Sequence, residues 1–359
     1  MHMKPLTIWG ASAACLSLLI AACGSAAATP AAGSDGTVSV SVGTGTPVKI
    51  PKGPLKIGYF SNGNPNQWNS SQIAAVEAEA KKYGYTVSVV NAGGSLNTQL
   101  SQMQTAAVDH TYNAAIVQAI QGEPECADMT KVMPAANILV VSSGPDCSSA
   151  LTNAGDGLWF PGTYATSGGD TSITYARAFF EEAAKEFPGP QQVAVVTGPV
   201  GNDLVTSEQD VLSSLAKTNP QFHVAGVVNT GWTAPTALSA TESFLEAHPN
   251  ITVVLSTYSP DVTQGVIDAL RALGKLGKVK VADQGGTTYD VSQIQAGNID
   301  FTLPYFPNNY GTYAVDAIHD AQLGRSPQRF ISDVPSKYGT LTNPVIITKA
   351  NVATYTAAY

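Results

Sequence analysis

The sequence predicts an α/β protein of two doubly wound parallel-sheet lobes, and three observations lead there. From Leu55 the chain alternates short apolar runs, LKIGYF, TVSVV, AAIVQA and ILVVSS, with segments whose apolar residues recur every three or four positions. Such β-α-β repetition implies a parallel sheet covered by helices on both faces. The alternation stops at the irregular stretch GPDCSSALTNAGDGLWFPGTYATSGGD and then restarts. About 305 residues follow the N-terminal region, more than a single core usually holds.

Taken in order, the chain opens with MHMKPLTIWGASAACLSLLIAAC, in which Lys4 is the only formal side-chain charge. Its apolar segment, Ile8 to Ala22, is about 15 residues, short for a bilayer core of roughly 30 Å. Ile20, Ala21, Ala22 and Cys23 resemble the lipobox of bacterial lipoproteins, in which the cysteine thiol receives a diacylglyceryl group. Residues 1–23 are therefore expected to be a lipoprotein signal ending at a lipidated Cys23, with an ordinary secretory signal as the alternative. Residues 24–54, rich in Gly, Ser, Thr, Ala and Pro, are expected to be a flexible linker, holding the folded part roughly 30 Å from the membrane.

In the first half, Ile73, Val76, Ala80 and Tyr83 share one helical face with Gly84 as a stop, and a second helix is expected over 97–109. In the second half, helices over 173–185, 204–217, 236–247 and 262–273 alternate with QVAVVTG, FHVAGVV, TVVLST and KVKVAD. Cys126 and Cys147 remain as an even pair in an exported chain; a disulfide is expected, with two separate buried thiols as the alternative.

Ligands of open parallel sheets bind beyond the carboxyl ends of the strands, so residues just after each apolar run are the candidates. SNGNPNQWNSS, placed before the first helix, carries Asn62, Asn64, Asn66, Gln67 and Trp68. It lacks the glycine-rich phosphate-binding patterns, whereas amides and an indole suit a polar ligand edge. Later strand ends supply Asn202 and Asp203, then Trp232, then Tyr258, Ser259 and Asp261, then Asp283 and Gln284, then Tyr305 and Phe306. Aromatic faces with a few polar groups suit a small molecule. The four arginines, Arg177, Arg271, Arg325 and Arg329, all fall on helices or connections, leaving an anionic ligand without its usual partner. A neutral polyhydroxylated ligand such as a sugar or polyol is expected first, and an aromatic or cationic one second.

Net charge of −8 with 18 Lys+Arg and no dense basic cluster excludes nucleic acid as a partner. The five histidines show no paired spacing, and no zinc or G-x-S-x-G pattern occurs. No catalysis, metal or cofactor is expected.

Taken together, KIGYFSNGNPNQW, AAVEAEAKKYGYTVSVVNAGG, AAIVQA, ANILVVSS, LEAHPNITVVLST, GVIDALRALGK and VKVADQGG resemble the ribose-binding-protein-like group of bacterial solute-binding proteins, the sugar receptors of ABC importers. The resemblance covers nearly all of the chain beyond the linker. It implies the type I periplasmic-binding-protein fold, two lobes joined by a three-segment hinge that close on a ligand, and an ABC permease in the membrane as partner. It also implies a first lobe of residues 55–163 plus 306–333 and a second of 164–305 plus 334–359, acting as a monomer. By the same resemblance Asn64 and Pro65 match the family's Asn-Pro, while Asn66 and Gln67 stand where sugar-stacking aromatics are usual, with Trp68 as substitute. Gly144 and Pro145 replace an Asp-Arg pair, Thr206 an arginine, Tyr258 and Ser259 an Asn-Asp pair, and Tyr305 a Gln. Trp232 and Asp283 match family positions. The ligand set expected is Asn64, Gln67, Trp68, Asp203, Trp232, Tyr258, Asp283 and Tyr305. A receptor feeding a sensor kinase or chemoreceptor would leave the same pocket and anchor.

Overall fold

The computed structural model describes residues 36–63, 66–144, 147 and 155–359. The expected signal segment with Cys23, the Asn64-Pro65 dipeptide and the Pro145-Asp146 dipeptide lie outside the described residues. The expected linker needs correction. Within it β1 (Thr37–Val40) pairs antiparallel with β2 (Val48–Pro51). Val40, Val42, Val48 and Ile50 are buried in the same core as Ile57 and Ile318. Alternating valines give this hairpin one apolar face, and burying that face fixes a segment whose composition otherwise reads as coil.

The first sheet is wholly parallel, in the order β4 (Thr86–Asn91), β3 (Lys56–Ser61), β5 (Ala114–Val117), β6 (Leu139–Ser143), β7 (Ala165–Ser167) and β13 (Phe330–Ile331). β5 and β6 are buried throughout, as strands covered on both faces must be. The second sheet runs β9 (Phe222–Asn229), β8 (Gln191–Thr197), β10 (Val253–Ser256), β11 (Lys280–Gly285) and β12 (Phe301–Pro304), all parallel, with Ile347–Thr348 antiparallel at its edge. In each sheet the first strand of the unit, β3 or β8, has its successor on one side and a later strand on the other. A crevice therefore opens beyond the carboxyl ends of β3 and β5, and another beyond β8 and β10.

Helices fill the intervals where the apolar period places them: Leu96–Asp109, Ile173–Glu186, Asp203–Thr218, Ala234–Ala247 and Asp261–Ala272. The first helix, Gln67–Lys82, begins earlier than its apolar face suggests, because the Asn66 side chain accepts the Asn69 N–H at 2.9 Å and caps it. Gln67 and Trp68 thus form its first turn rather than a loop before it. This helix packs on Pro307–Gln322.

Three segments join the two sheets: Gly168–Ser172 after β7, Tyr305–Phe306 after β12, and the chain leaving β13 at Ser332. β7 belongs to the first sheet, so the first crossing falls beyond Ser167, a few residues later than the sequence placed it. The crossings hold one another. The Tyr310 hydroxyl accepts the Asp170 N–H at 3.0 Å, and Asp333 accepts the Gly169 N–H at 3.1 Å. Gly168, at φ +86°, lies so close to the Tyr310 ring that a Cβ there would stand 1.8 Å from it. A residue without a side chain is required at that approach.

Candidate functional site

The strand ends of both sheets meet at one cavity of about 90 Å³. By the same measure a water needs about 10–15 Å³, so the space suits a molecule of monosaccharide or polyol size.

From the first lobe come amides. Asn62 follows β3, Gln118 follows β5, and Asn66 and Asn69 flank the start of the first helix. Gln118 Nε2 donates to Asn69 Oδ1 at 2.6 Å and Asn69 Nδ2 donates to Asn62 Oδ1 at 2.8 Å, which orients the amides as a set. Ser143, at the end of β6, is held by Gln72 from below. Trp68 adds an indole in edge contact with Tyr310, ring centroids 5.4 Å apart.

From the second lobe come rings and a carboxyl. Trp232 stands at φ +60°, a conformation a bulky residue adopts only when its surroundings impose it. They do so here. Its ring covers Gly198, where a Cβ would lie 1.9 Å from the indole, and Tyr258 meets its edge at 5.1 Å. The Tyr258 hydroxyl is buried, with the Trp68 backbone N–H of the first lobe directed at it. Tyr305, on the second crossing, stacks on Tyr175 and donates to Gln284 Oε1 at 2.9 Å.

Two carboxyls line the cavity. Asp203 Oδ2 accepts the Gly122 N–H of the opposite lobe at 2.8 Å, so one contact both shapes the cavity and ties the lobes. Burial pushes its carboxyl up to about 7, against the pull of that hydrogen bond. Asp170, on the first crossing, is raised to about 6 by burial, opposed by donors from Tyr310, the Thr171 backbone and the Trp68 indole.

Of the expected residues, Trp68, Asp203, Trp232, Tyr258 and Tyr305 line the cavity, while Asn64 lies outside the described residues. Two expectations do not fit the geometry. Gln67 points its backbone N–H toward the Asp261 carboxyl and does not line the cavity. Asp283 is fully buried within the second sheet, between Ser256 of β10 and Thr302 of β12. Burial and the neighbouring Asp290 push its carboxyl well above the ordinary range. Thr206 is exposed on its helix. Gln118, Ser143 and Asn69 line the cavity without having been singled out; the first two sit just where AAIV and LVVS end, so the strand-end rule could have found them. Asp170 and Tyr310 carry no such signal. Cys126 and Cys147 are bonded, their Cα atoms 5.7 Å apart, tying helix Gly122–Ala127 to the chain beyond β6.

The sequence profile of the periplasmic binding protein domain matches residues 57–326. A D-allose-binding periplasmic protein of Escherichia coli (strain K12) is 24% identical over 131 residues, 36% of this chain and 42% of that protein. Among solved structures, a solute binding protein of an ABC transporter from Mycobacterium smegmatis, with bound glycerol, superposes at a TM-score of 0.69 with 18% identity, covering 86% of this chain and 99% of that one. The Caulobacter myo-inositol binding protein bound to myo-inositol superposes at 0.71 with 21% identity, covering 84% and 95%. Both solved structures share its fold. With the profile spanning most of its length, the chain belongs to the periplasmic binding protein domain family.

Proposed function

We propose that the protein is an extracytoplasmic receptor of an ABC importer, anchored through a lipidated Cys23, that captures one small sugar or polyol by closing its lobes. The observation that carries this reading is the cavity itself: both lobes contribute to it, and it is walled by rings and oriented amides with no Arg, Lys or His among the described residues that line it. Amides both donate and accept, as hydroxyls do, and rings cover the apolar faces of a sugar. A phosphate or carboxylate on the ligand would meet carboxyls instead of a guanidinium. The D-allose, glycerol and myo-inositol of the relatives' names belong to the same chemical class.

In this reading Trp68, Trp232, Tyr258 and Tyr305 stack on the ligand. Asn62, Asn64, Asn69, Gln118 and Asp203 select its hydroxyls. The lobes hinge at the three crossings, and the closed form is what the permease accepts. Among the described residues no helix is long and apolar enough to cross a membrane. A thermal-shift screen across sugars, polyols, nucleosides and amines tests the ligand class, because a ligand that prefers the folded state raises Tm. A rise with a sugar or polyol is expected; a panel in which only nucleosides respond would overturn the reading. Mass spectrometry of the membrane fraction, with Cys23→Ala as the control, tests the anchor.

A further inference from the structure

The charges of the cavity do not balance. Asp170 and Asp203 line it, only 5% and 9% exposed, and among the described residues no cationic side chain accompanies them. The donors around Asp170 are all neutral. Asp203 receives one neutral N–H, from Gly122, and the helix that supplies it adds Glu123, a further acid rather than a cation. Buried carboxylates are ordinarily paired, because leaving one without a counter-charge in a desolvated site is costly. Here the described residues that line the cavity supply none. Beside this imbalance stand the Tyr258 hydroxyl, buried on the cavity wall with the Trp68 backbone N–H directed at it, and the indoles of Trp68 and Trp232.

We infer that the natural ligand carries a protonated amine on its hydroxylated frame, seated against Asp203 with an aromatic wall beside it. This rests on the reading as a polyol receptor and alters one property of the ligand, its charge. An ammonium offers three things a hydroxyl in the same place cannot combine: a counter-charge for the carboxylates, several N–H donors for the carboxyl oxygens of Asp203, and attraction to the ring faces. It also has a signature of its own. Burial holds a proton on Asp203 near neutrality, and an arriving ammonium displaces it, so binding releases a proton to the buffer.

Calorimetry on the full chain with matched pairs decides the matter: glucose with glucosamine, galactose with galactosamine, and N-acetylglucosamine as the frame with its charge removed. At neutral pH and low salt the amine of at least one pair is expected to bind about tenfold tighter than its neutral partner or more. In Asp203→Asn that preference should fall to about twofold. Wild-type binding of the amine should also show a heat that varies with the ionisation enthalpy of the buffer, a readout independent of whether the variant folds. If the neutral member binds as tightly in every pair, or no proton is released, the inference is overturned while the polyol receptor stands. If no member of any pair binds and no other polyol does, both fall.

Discussion

The two walls of the cavity are built from different chemistry on nearly the same scaffold. The first lobe offers Asn62, Asn66, Asn69, Gln118 and Ser143 at its strand ends and helix start, neutral groups tied to one another by hydrogen bonds. The second offers Asp203, Trp232 and Tyr258, a carboxyl and two rings. Pre-oriented amides can choose among hydroxyl arrangements but add little apolar contact. Rings and a buried carboxyl grip strongly and discriminate less. A ligand resting on one wall gains only half of this, so tight binding depends on closure, which the Asp203 contact to Gly122 makes directly.

The largest expected effect breaks the first wall from behind. The Cys126–Cys147 bond closes a loop of 21 residues beside the Gln118 strand end, and such a cross-link contributes about 3 kcal/mol by restricting the unfolded chain. Cys126→Ser with Cys147→Ser should lower the unfolding free energy by about that amount in denaturant titration. The second wall, which holds no disulfide, should keep its Trp232 environment at denaturant levels where the first has begun to open, as read by tryptophan fluorescence.

Next comes the gripping wall. Trp232→Ala should weaken ligand binding by about 1–3 kcal/mol, measured by calorimetry, because it removes a ring that closes the cavity. Gly198→Ala should reproduce much of the loss without touching the indole itself, since the added methyl takes the place where the ring lies. Unchanged affinity in both would place the ligand against the amide wall alone.

How far these walls could be read beforehand depended on where each residue's partners lie. Trp232, Tyr258 and Tyr305 follow the ends of apolar runs, and a strand's end is a local property, so they were legible. Asp283 also ends an apolar run, yet β11 continues to Gly285, which leaves Asp283 inside the sheet. Local pattern marks where hydrophobicity stops, not where hydrogen bonding stops. Asp170 and Tyr310 meet across 140 positions of sequence, and nothing near either announces the other. The alternation of Val38, Val40 and Val42 was visible in the supposed linker but was outweighed by its Gly, Ser and Thr content. The side on which it is buried is set by residues such as Ile57 and Ile318, far along the chain.

Each lobe also hides one glutamate behind its wall, and the pair sharpens the contrast. Burial raises both Glu125 and Glu208 to about 8. Glu125 Oε1 accepts the N–H groups of Ile120 and Gln121 at 3.0 and 3.1 Å, whereas Glu208 Oε2 accepts from the Thr197 hydroxyl at 2.7 Å. The folded protein holds these protons up to about pH 8, while the unfolded chain releases them near the ordinary glutamate value, so folding takes up protons in between. Their contribution is fully present below the unfolded value and is lost as pH rises toward 8. Glu208→Gln keeps the shape without the charge. It should raise stability by about 1–2 kcal/mol above pH 8 and change it little in acid, flattening the fall of Tm with pH.

The smallest expected effect concerns the balance between open and closed forms. Asp261, at the start of its second-lobe helix, brings a carboxyl to the Gln67 N–H, the first turn of the Gln67–Lys82 helix on the other lobe. A negative charge at a helix N-terminus is worth about 0.3–1 kcal/mol when accessible. Here that stabilisation exists only when the lobes are together. Asp261→Asn retains an oxygen that can accept the N–H but removes the charge. It should move the ligand-free equilibrium toward the open form by about that amount, a factor of roughly 2 to 5 in the ratio of the two. Spin labels on exposed Lys81 and Lys217, one per lobe, would report this as added weight at longer distances, with the effect shrinking as salt is raised. A distribution identical to wild type at low salt would mean that the contacts of Asn202 and Asp203 to Ile120 and Gly122 set how the walls meet.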